Sequence, residues 1–184
     1  MKRLVVLAAV GIAMTGGSAH GYAQDQVIVL PEAPPVVTSD DDEFSSSRLG
    51  QVRYGPYNSS AYSRIEVAFL VHAASEETLH ALQVSLSSMD PQGDITSVAA
   101  RGGVDFPPLF QGSVGRINCS GSRYSRGCRS SYSRTFEIPE SILYRVRGRE
   151  SIDVRVRTTE GAASDILITI TPAVLTALDT WLAR

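Results

Sequence analysis

The sequence predicts an all-β protein: an antiparallel β-sandwich of about six to seven short strands, followed by a C-terminal amphipathic helix. Several segments alternate apolar and polar residues with a period of two, as strands do when one face lies on a core. Turn signals rich in Gly, Pro and Asp separate these segments. No segment has the strong helical pattern of a crossover between parallel strands, so we expect antiparallel pairing.

Residues 1–23 are predicted to be a signal peptide. Two basic residues precede an apolar run from Leu4 to Met14, and Gly21 and Ala23 are the small residues of a cleavage site. A membrane-spanning helix needs about 20 apolar residues, roughly twice this run, and no later segment approaches that length. We therefore expect an exported mature chain, periplasmic or extracellular, without a transmembrane segment.

Residues 24–50 are predicted to form an acidic, Pro- and Ser-rich flexible segment. Gln26 to Leu30 has the composition of a short strand, but three prolines follow it, and Asp40 to Glu43 brings four like charges together. Little apolar surface is present there to offset the cost of ordering the chain. We expect the folded domain to occupy residues 51–184, which is long enough to build one core.

The first strands of this domain are predicted from alternation. Ile65 to Val71 and Leu82 to Leu86 alternate cleanly and are expected to be neighbours, while Ala73 to His80 between them is expected to be a loop with one turn. After a turn signal, Asp94 to Ala100 is expected to be a further strand. Ser131 to Ile138 resumes the alternation less regularly.

The last elements are predicted to be a hairpin and a helix. Ile152 to Arg157 has a charged outer face, and the apolar run from Ile166 to Ile170 is expected to pair with it. Thr171 and Pro172 suit the N-cap and first position of a helix of about ten residues. Trp181 lies on the apolar stripe of this helix and is expected to be buried against the sheet.

The two cysteines are predicted to form a structural disulfide. Export places Cys119 and Cys128 in an oxidising compartment, where an even number of cysteines favours pairing. The eight residues between them are small, polar and flexible enough to bring the two Cα atoms within bonding range. A redox or metal pair is the alternative, but the spacing is not CxxC and no histidine lies nearby.

Arginine is unevenly distributed. The chain after residue 23 carries 15 Arg, no Lys and 19 acidic residues, but residues 101–157 hold eleven Arg against five acidic residues. The candidate binding residues surround the predicted disulfide loop: Arg123, Tyr124, Arg126, Arg129, Tyr132 and Arg134. This composition favours an anionic glycan, a lipid headgroup or an acidic protein surface as the partner, whereas export disfavours nucleic acid. Alternatively, the arginines are scattered over several faces and pair with acidic residues.

No catalytic, metal or cofactor site is assigned from the sequence, because nucleophile-elbow and phosphate-loop motifs are absent. We expect an exported non-enzymatic binding or structural module of the cell envelope or surface. One alternative is a small secreted hydrolase or metal-dependent enzyme in which His72 and His80 converge. Another is a periplasmic chaperone or inhibitor that pairs an edge strand with its client.

Overall fold

A computed structural model describes residues 26–29, 36–38, 47–58, 62–74, 77–88, 94–110, 114–122, 125–159 and 165–184. Within these ranges the chain forms eleven strands and two helices. The strands are β1 (Gln26–Val29), β2 (Val37–Thr38), β3 (Ser47–Tyr57), β4 (Arg64–Ala74), β5 (Glu77–Ser88), β6 (Ile95–Ala100), β7 (Val104–Asp105), β8 (Val114–Ser122), β9 (Ser125–Glu137), β10 (Ile152–Thr158) and β11 (Ile166–Ile170). The helices are α1 (Glu140–Arg147) and α2 (Pro172–Leu182).

The strands form two sheets, which confirms the predicted β-sandwich. The five-stranded sheet has the order β1-β11-β10-β6-β7, and the six-stranded sheet has the order β2-β3-β4-β5-β9-β8. Four strands were not predicted: β2 and β7 are too short to show a period, whereas β3 and β8 contain glycines that interrupt the alternation of apolar and polar residues. The expectation of purely antiparallel pairing is wrong for β1, which pairs parallel with β11. Nearly the whole domain connects these two strands, so no separate crossover segment marks the pairing in the sequence.

The predicted flexible segment over residues 24–50 contains ordered structure. β1, β2 and the first residues of β3 all lie within it. Ile28 is buried in the common core, which explains why the apolar residues of β1 join the sheet edge despite the prolines that follow. Asp40 to Glu43 and the predicted signal peptide lie outside the described residues.

The hairpin of β4 and β5 confirms that these two strands are neighbours. Ile65 pairs with Leu86 and Val71 pairs with His80. The loop predicted over Ala73 to His80 is wrong, because the ladder continues to the pair of Ala74 and Glu77. Paired backbone groups outweigh the weak helix propensity of this short stretch.

One core fills the space between the sheets and the helices. Its largest fully buried side chains come from both sheets, α1 and α2: Ile65, Phe69, Leu82, Leu86, Ile95, Phe136, Ile142, Ile152, Ile166, Ile168, Ile170 and Leu175. α1 was not predicted, because eight residues contain few periods of a helical pattern. Among the described residues, no helix is both long and apolar enough to cross a membrane.

The C-terminal helix α2 confirms the prediction for its position and length. Thr171 occupies the N-cap with Pro172 after it, although the Thr171 side chain makes no capping hydrogen bond. Trp181 packs against the core, as predicted, although its side chain is only partly buried. It lies in the last turn of the helix, where one ring face covers Gly50 and the guanidinium carbon of Arg48 lies 4.6 Å from the ring centroid.

Candidate functional site

The structure describes the predicted Arg/Tyr loop only in part. Arg123 and Tyr124 lie outside the described residues. The backbones of Arg126 and Arg129 belong to β9, which forms a continuous antiparallel hairpin with β8. Arg126 and Arg129 therefore lie on β9, next to the edge strand β8, and contacts of the loop with a partner stay a prediction.

Arg134 is engaged inside the sandwich. Its Nη1 donates hydrogen bonds to the carbonyl oxygens of Ile95, at 2.7 Å, and Thr96, at 3.3 Å. Its guanidinium carbon lies 5.5 Å from the ring centroid of Phe136. Because β6 and β9 belong to different sheets, Arg134 links the two sheets. Tyr132, also predicted to bind, is half-buried on the same strand.

The cysteines are placed as a bridge requires. Cys119 on β8 and Cys128 on β9 are directly opposed in the ladder. Directly opposed residues of antiparallel strands have Cα atoms about 4.5 to 5.5 Å apart, which lies within the range that a disulfide spans. The register therefore supports the predicted bridge and places it across the hairpin stem.

The two histidines proposed for an enzyme point to different faces of the six-stranded sheet. His80 pairs with Val71, whereas His72 pairs with Leu79, so successive side chains place the imidazoles on opposite faces. His80 is buried, with 5% of its surface exposed. Among the described residues, no group of three or more His, Cys, Asp or Glu side chains is positioned to hold a metal ion.

His80 instead belongs to a polar cluster with one residue from each helix. Arg147 of α1 donates from Nε and Nη2 to the two carboxylate oxygens of Asp179 on α2, each at 2.9 Å. His80 Nε2 lies 3.4 Å from Asp179 Oδ1 and 3.5 Å from Arg147 Nη2. The cluster joins β5 to both helices.

The electrostatics of this cluster favour a neutral imidazole. Burial lowers the pKa of His80, and the charge of Arg147 lowers it further, while Asp179 acts in the opposite direction. Burial acts to raise the pKa of Asp179, but the hydrogen bonds and charge of Arg147 outweigh burial and hold that pKa below its usual value. Neutral His80 beside an ionised Arg–Asp pair has a structural role.

A groove of about 740 Å³ runs between α1 and α2 next to this cluster. Four of its five polar side chains are engaged in internal hydrogen bonds, and the fifth belongs to the exposed Arg149. Arg147 and Asp179 bind each other, and the hydroxyls of Thr176 and Thr180 donate to helix carbonyls at 2.9 and 2.6 Å. The groove is larger than the next cavity described, but these internal bonds leave it few polar groups that would orient a ligand.

The outward face of the five-stranded sheet holds a second concavity, of about 420 Å³. Three of its lining residues are exposed arginines, Arg101, Arg155 and Arg157. The other lining residues are smaller, apolar or acidic: Ala99, Ala100, Gly103, Asp153 and Leu167. Three arginines against one carboxylate give this cavity, the arginine concavity, a net positive lining.

Strand pairing creates the arginine concavity. Arg155 on β10 lies between Leu167 of β11 and Ala99 of β6, and Arg157 pairs with Ser97. Because Ala99 is short, it leaves open space beside the long Arg155 side chain.

The end of β6 closes the concavity on one side. The Arg101 backbone N–H donates to the Asp153 carbonyl at 2.8 Å, which fixes Arg101 beside β10 just after β6 ends. Asp153 in turn accepts a 2.8 Å hydrogen bond from the Thr169 hydroxyl. These backbone and side-chain bonds fix the positions from which the arginine side chains project.

In the sequence, the Arg-rich region stood out as a whole, and these three arginines were not predicted as a separate site. Arg101, Arg155 and Arg157 fall within the Arg-rich region 101–157, but the expectation focused on the disulfide loop. The concavity requires the pairing of β6 with β10, whose partners are more than fifty positions apart in the chain. Both segments were predicted to be strands, but nothing in the sequence indicated that they are neighbours in one sheet.

Comparison with known proteins adds no functional information. The chain matches no protein-family model, no curated protein and no solved structure.

Proposed function

We propose that this protein is an exported, non-enzymatic binding module of the cell envelope or surface, and that it binds an anionic partner through the arginine concavity. The observation that carries the proposal is the placement of Arg101, Arg155 and Arg157 around one cavity on an exposed sheet face. Guanidinium groups bind carboxylates, sulfates and phosphates through paired, charge-assisted hydrogen bonds. Three arginines that line one cavity therefore favour an anion as the ligand.

The position of the arginines on strands supports binding rather than nonspecific solvation. Arg155 and Arg157 are two residues apart on one strand, with their backbones held by neighbours on both sides. Like charges about 7 Å apart repel each other, and an anion that reaches both relieves this repulsion. Binding is expected to weaken as salt rises, because these side chains are exposed.

The disulfide loop is a second contact surface for the same partner class under this proposal. Its candidate contact residues are Arg123, Tyr124, Arg126, Arg129 and Tyr132, and the proposed bridge between Cys119 and Cys128 lies across the stem of the hairpin of β8 and β9. Arg134 is left out of this set because its guanidinium binds backbone carbonyls.

Two triple variants test which surface binds. The mature chain and the variants Arg101→Gln/Arg155→Gln/Arg157→Gln and Arg123→Gln/Arg126→Gln/Arg129→Gln are titrated with polygalacturonate and polyacrylate at low and physiological ionic strength. Both variants lose the same charge, so a difference between their affinities reports on the position of the arginines and not on net charge. The first is expected to lose salt-sensitive binding by at least tenfold. Parent-like binding by the first variant would overturn the role of the arginine concavity.

Export is tested separately by N-terminal sequencing of the protein recovered from its native compartment. Cleavage after Ala23 would leave Gln24 as the first residue. A chain that still begins at Met1 would contradict the signal peptide and the proposed location.

A second candidate function, pairing of an edge strand with a client, is favoured by β8. This strand lies at the edge of the six-stranded sheet and runs for nine residues, with Arg116 as its one charged residue and no proline. The other edge strands described, β1, β2 and β7, have only two to four residues. A long edge without charges or proline can accept another strand.

Amide hydrogen exchange tests this second function. A client that adds a strand to β8 would slow exchange at alternate residues of Val114–Ser122, whose outward amides become hydrogen-bonded. Unchanged exchange at these amides in the presence of an unfolded model client would exclude edge pairing by β8.

A further inference from the structure

We infer that the arginine concavity is built for a sugar acid, meaning a carbohydrate unit that carries a carboxylate beside hydroxyl groups. This inference rests on the proposed anion-binding function and specifies the ligand. The observation behind it is that a carboxylate, Asp153, lines the same cavity as Arg101, Arg155 and Arg157.

Asp153 makes the cavity poorly suited to a ligand that offers only negative charge. A carboxylate among the guanidiniums repels a second anion at short range. The same carboxylate accepts hydrogen bonds from hydroxyl groups, and it has acceptor capacity beyond the bond from Thr169, because an ionised carboxylate has about four acceptor positions. A ligand that combines an anion with hydroxyl donors satisfies both kinds of side chain.

The arginines supply the other half of the recognition. Each guanidinium has five N–H donors, so a contact within the protein and a contact with a ligand are compatible on one side chain. Arg155 lies between its two cross-strand neighbours, Leu167 and Ala99. A backbone hydrogen bond joins Arg101 to Asp153 at one end of the cavity. Because Arg101 and Asp153 line the same cavity, one ligand can offer a carboxylate to an arginine and a hydroxyl group to Asp153.

The walls and size of the cavity fit a saccharide. Leu167 is half-buried and offers an apolar surface, which suits the C–H face of a pyranose ring. Ala99 and Gly103 are short and leave room for a ring beside the arginines. About 420 Å³ lies at the lower end of the volumes of small-ligand sites, which suits one or two sugar units.

The variant Asp153→Asn tests this chemistry. Asn retains a side-chain oxygen that accepts the Thr169 hydrogen bond, but it lacks the negative charge. Affinities are measured for an oligogalacturonate, which has carboxylates and hydroxyls, and for polyacrylate, which has carboxylates alone. Loss of a charge-assisted hydrogen bond is expected to weaken oligogalacturonate binding about tenfold, while loss of repulsion strengthens polyacrylate binding.

Asp105→Asn is the matched control. Asp105 is exposed and pairs with Ala99 at the sheet edge, but it does not line the cavity. The control makes the same change in net charge close to the site. It is expected to change the affinities for both ligands equally and slightly.

The outcomes separate this inference from the proposal on which it rests. If the triple arginine variant binds both polymers like the parent, the proposed function fails. If that variant loses both ligands but Asp153→Asn shifts both affinities in the same direction, anion binding stands and the sugar-acid inference is overturned. If polyglutamate responds to Asp153→Asn as oligogalacturonate does, the ligand is an acidic polypeptide, and the inference is overturned as well.

Discussion

The contact between Gly50 and Trp181 allows a stringent test of how α2 docks on the sheet. A Cβ atom added at Gly50 would lie 2.7, 2.8 and 2.9 Å from three carbon atoms of the Trp181 ring. Carbon atoms pack at about 3.5 to 4.0 Å, so Gly50→Ala forces the indole to move. The movement would also disturb the stacking of Arg48 on the ring.

The expected magnitude follows from two opposing effects. Overpacking by one methyl group costs about 1 to 3 kcal/mol. Replacing Gly by Ala in a strand recovers about 0.5 to 1 kcal/mol, because the unfolded chain loses conformational freedom. We expect Gly50→Ala to lower the free energy of unfolding by about 1 to 2 kcal/mol.

A double-mutant cycle isolates the contact. Urea unfolding, followed by circular dichroism, is measured for the parent, Gly50→Ala, Trp181→Leu and the double variant. Trp181→Leu alone should cost about 2 kcal/mol, less than a fully buried tryptophan, because Trp181 is half-exposed. In the Trp181→Leu background, Gly50→Ala should be neutral or stabilising. An equal cost of Gly50→Ala in both backgrounds would show that the indole does not cover Gly50, and would refute the docking geometry.

Three further predictions concern pH and covalent structure. Burial lowers the pKa of His80 in the folded state, so the unfolded state binds a proton at a higher pH than the folded state does. The free energy of unfolding should therefore decrease as pH falls below about 6.5. Urea midpoints measured across this pH range should show a weaker pH dependence for His80→Gln. Burial, followed by the charge of Tyr57, raises the pKa of Tyr54 to about 12, so ultraviolet titration should show a phenol that ionises about two pH units after an ordinary tyrosine, and Tyr54→Phe should remove that step. Replacing Cys119 and Cys128 by Ser should lower the free energy of unfolding by about 2 to 3 kcal/mol, while parent-like stability under oxidising conditions would contradict the bridge.

Short-range patterns in the sequence were enough to predict the late hairpin and the C-terminal helix. Ile152, Val154 and Val156 alternate with polar residues, and in the structure they are buried while Arg155 and Arg157 are exposed. Successive side chains of a pleated strand point to opposite faces, so a strand with one face on the core buries every second residue. Elements with a strong local period are therefore predictable from one sequence.

Long-range pairing was not predictable in the same way. β1 was considered a possible short strand, but its partner β11 lies at the other end of the chain. Arg134 was included among the candidate binding residues around the disulfide loop, yet its guanidinium donates to carbonyls of β6. Neither contact leaves a pattern within a window of neighbouring residues.

The strand β10 carries core residues on one face and two arginines of the concavity on the other. Anion binding by these arginines can therefore be tested separately from the stability of the fold. On β10, the buried side chains at even positions pack in the core and fix the strand, while Arg155 and Arg157 at odd positions face outward. Substituting the outward positions leaves the core side chains untouched, and exposed substitutions of this kind change stability by about 0.5 kcal/mol or less. Arg134→Gln differs in this respect, because it removes hydrogen bonds to two carbonyls of the opposite sheet. Loss of anion binding by the outward variants at unchanged unfolding free energy would therefore report on recognition, whereas any effect of Arg134→Gln would include a change in the fold.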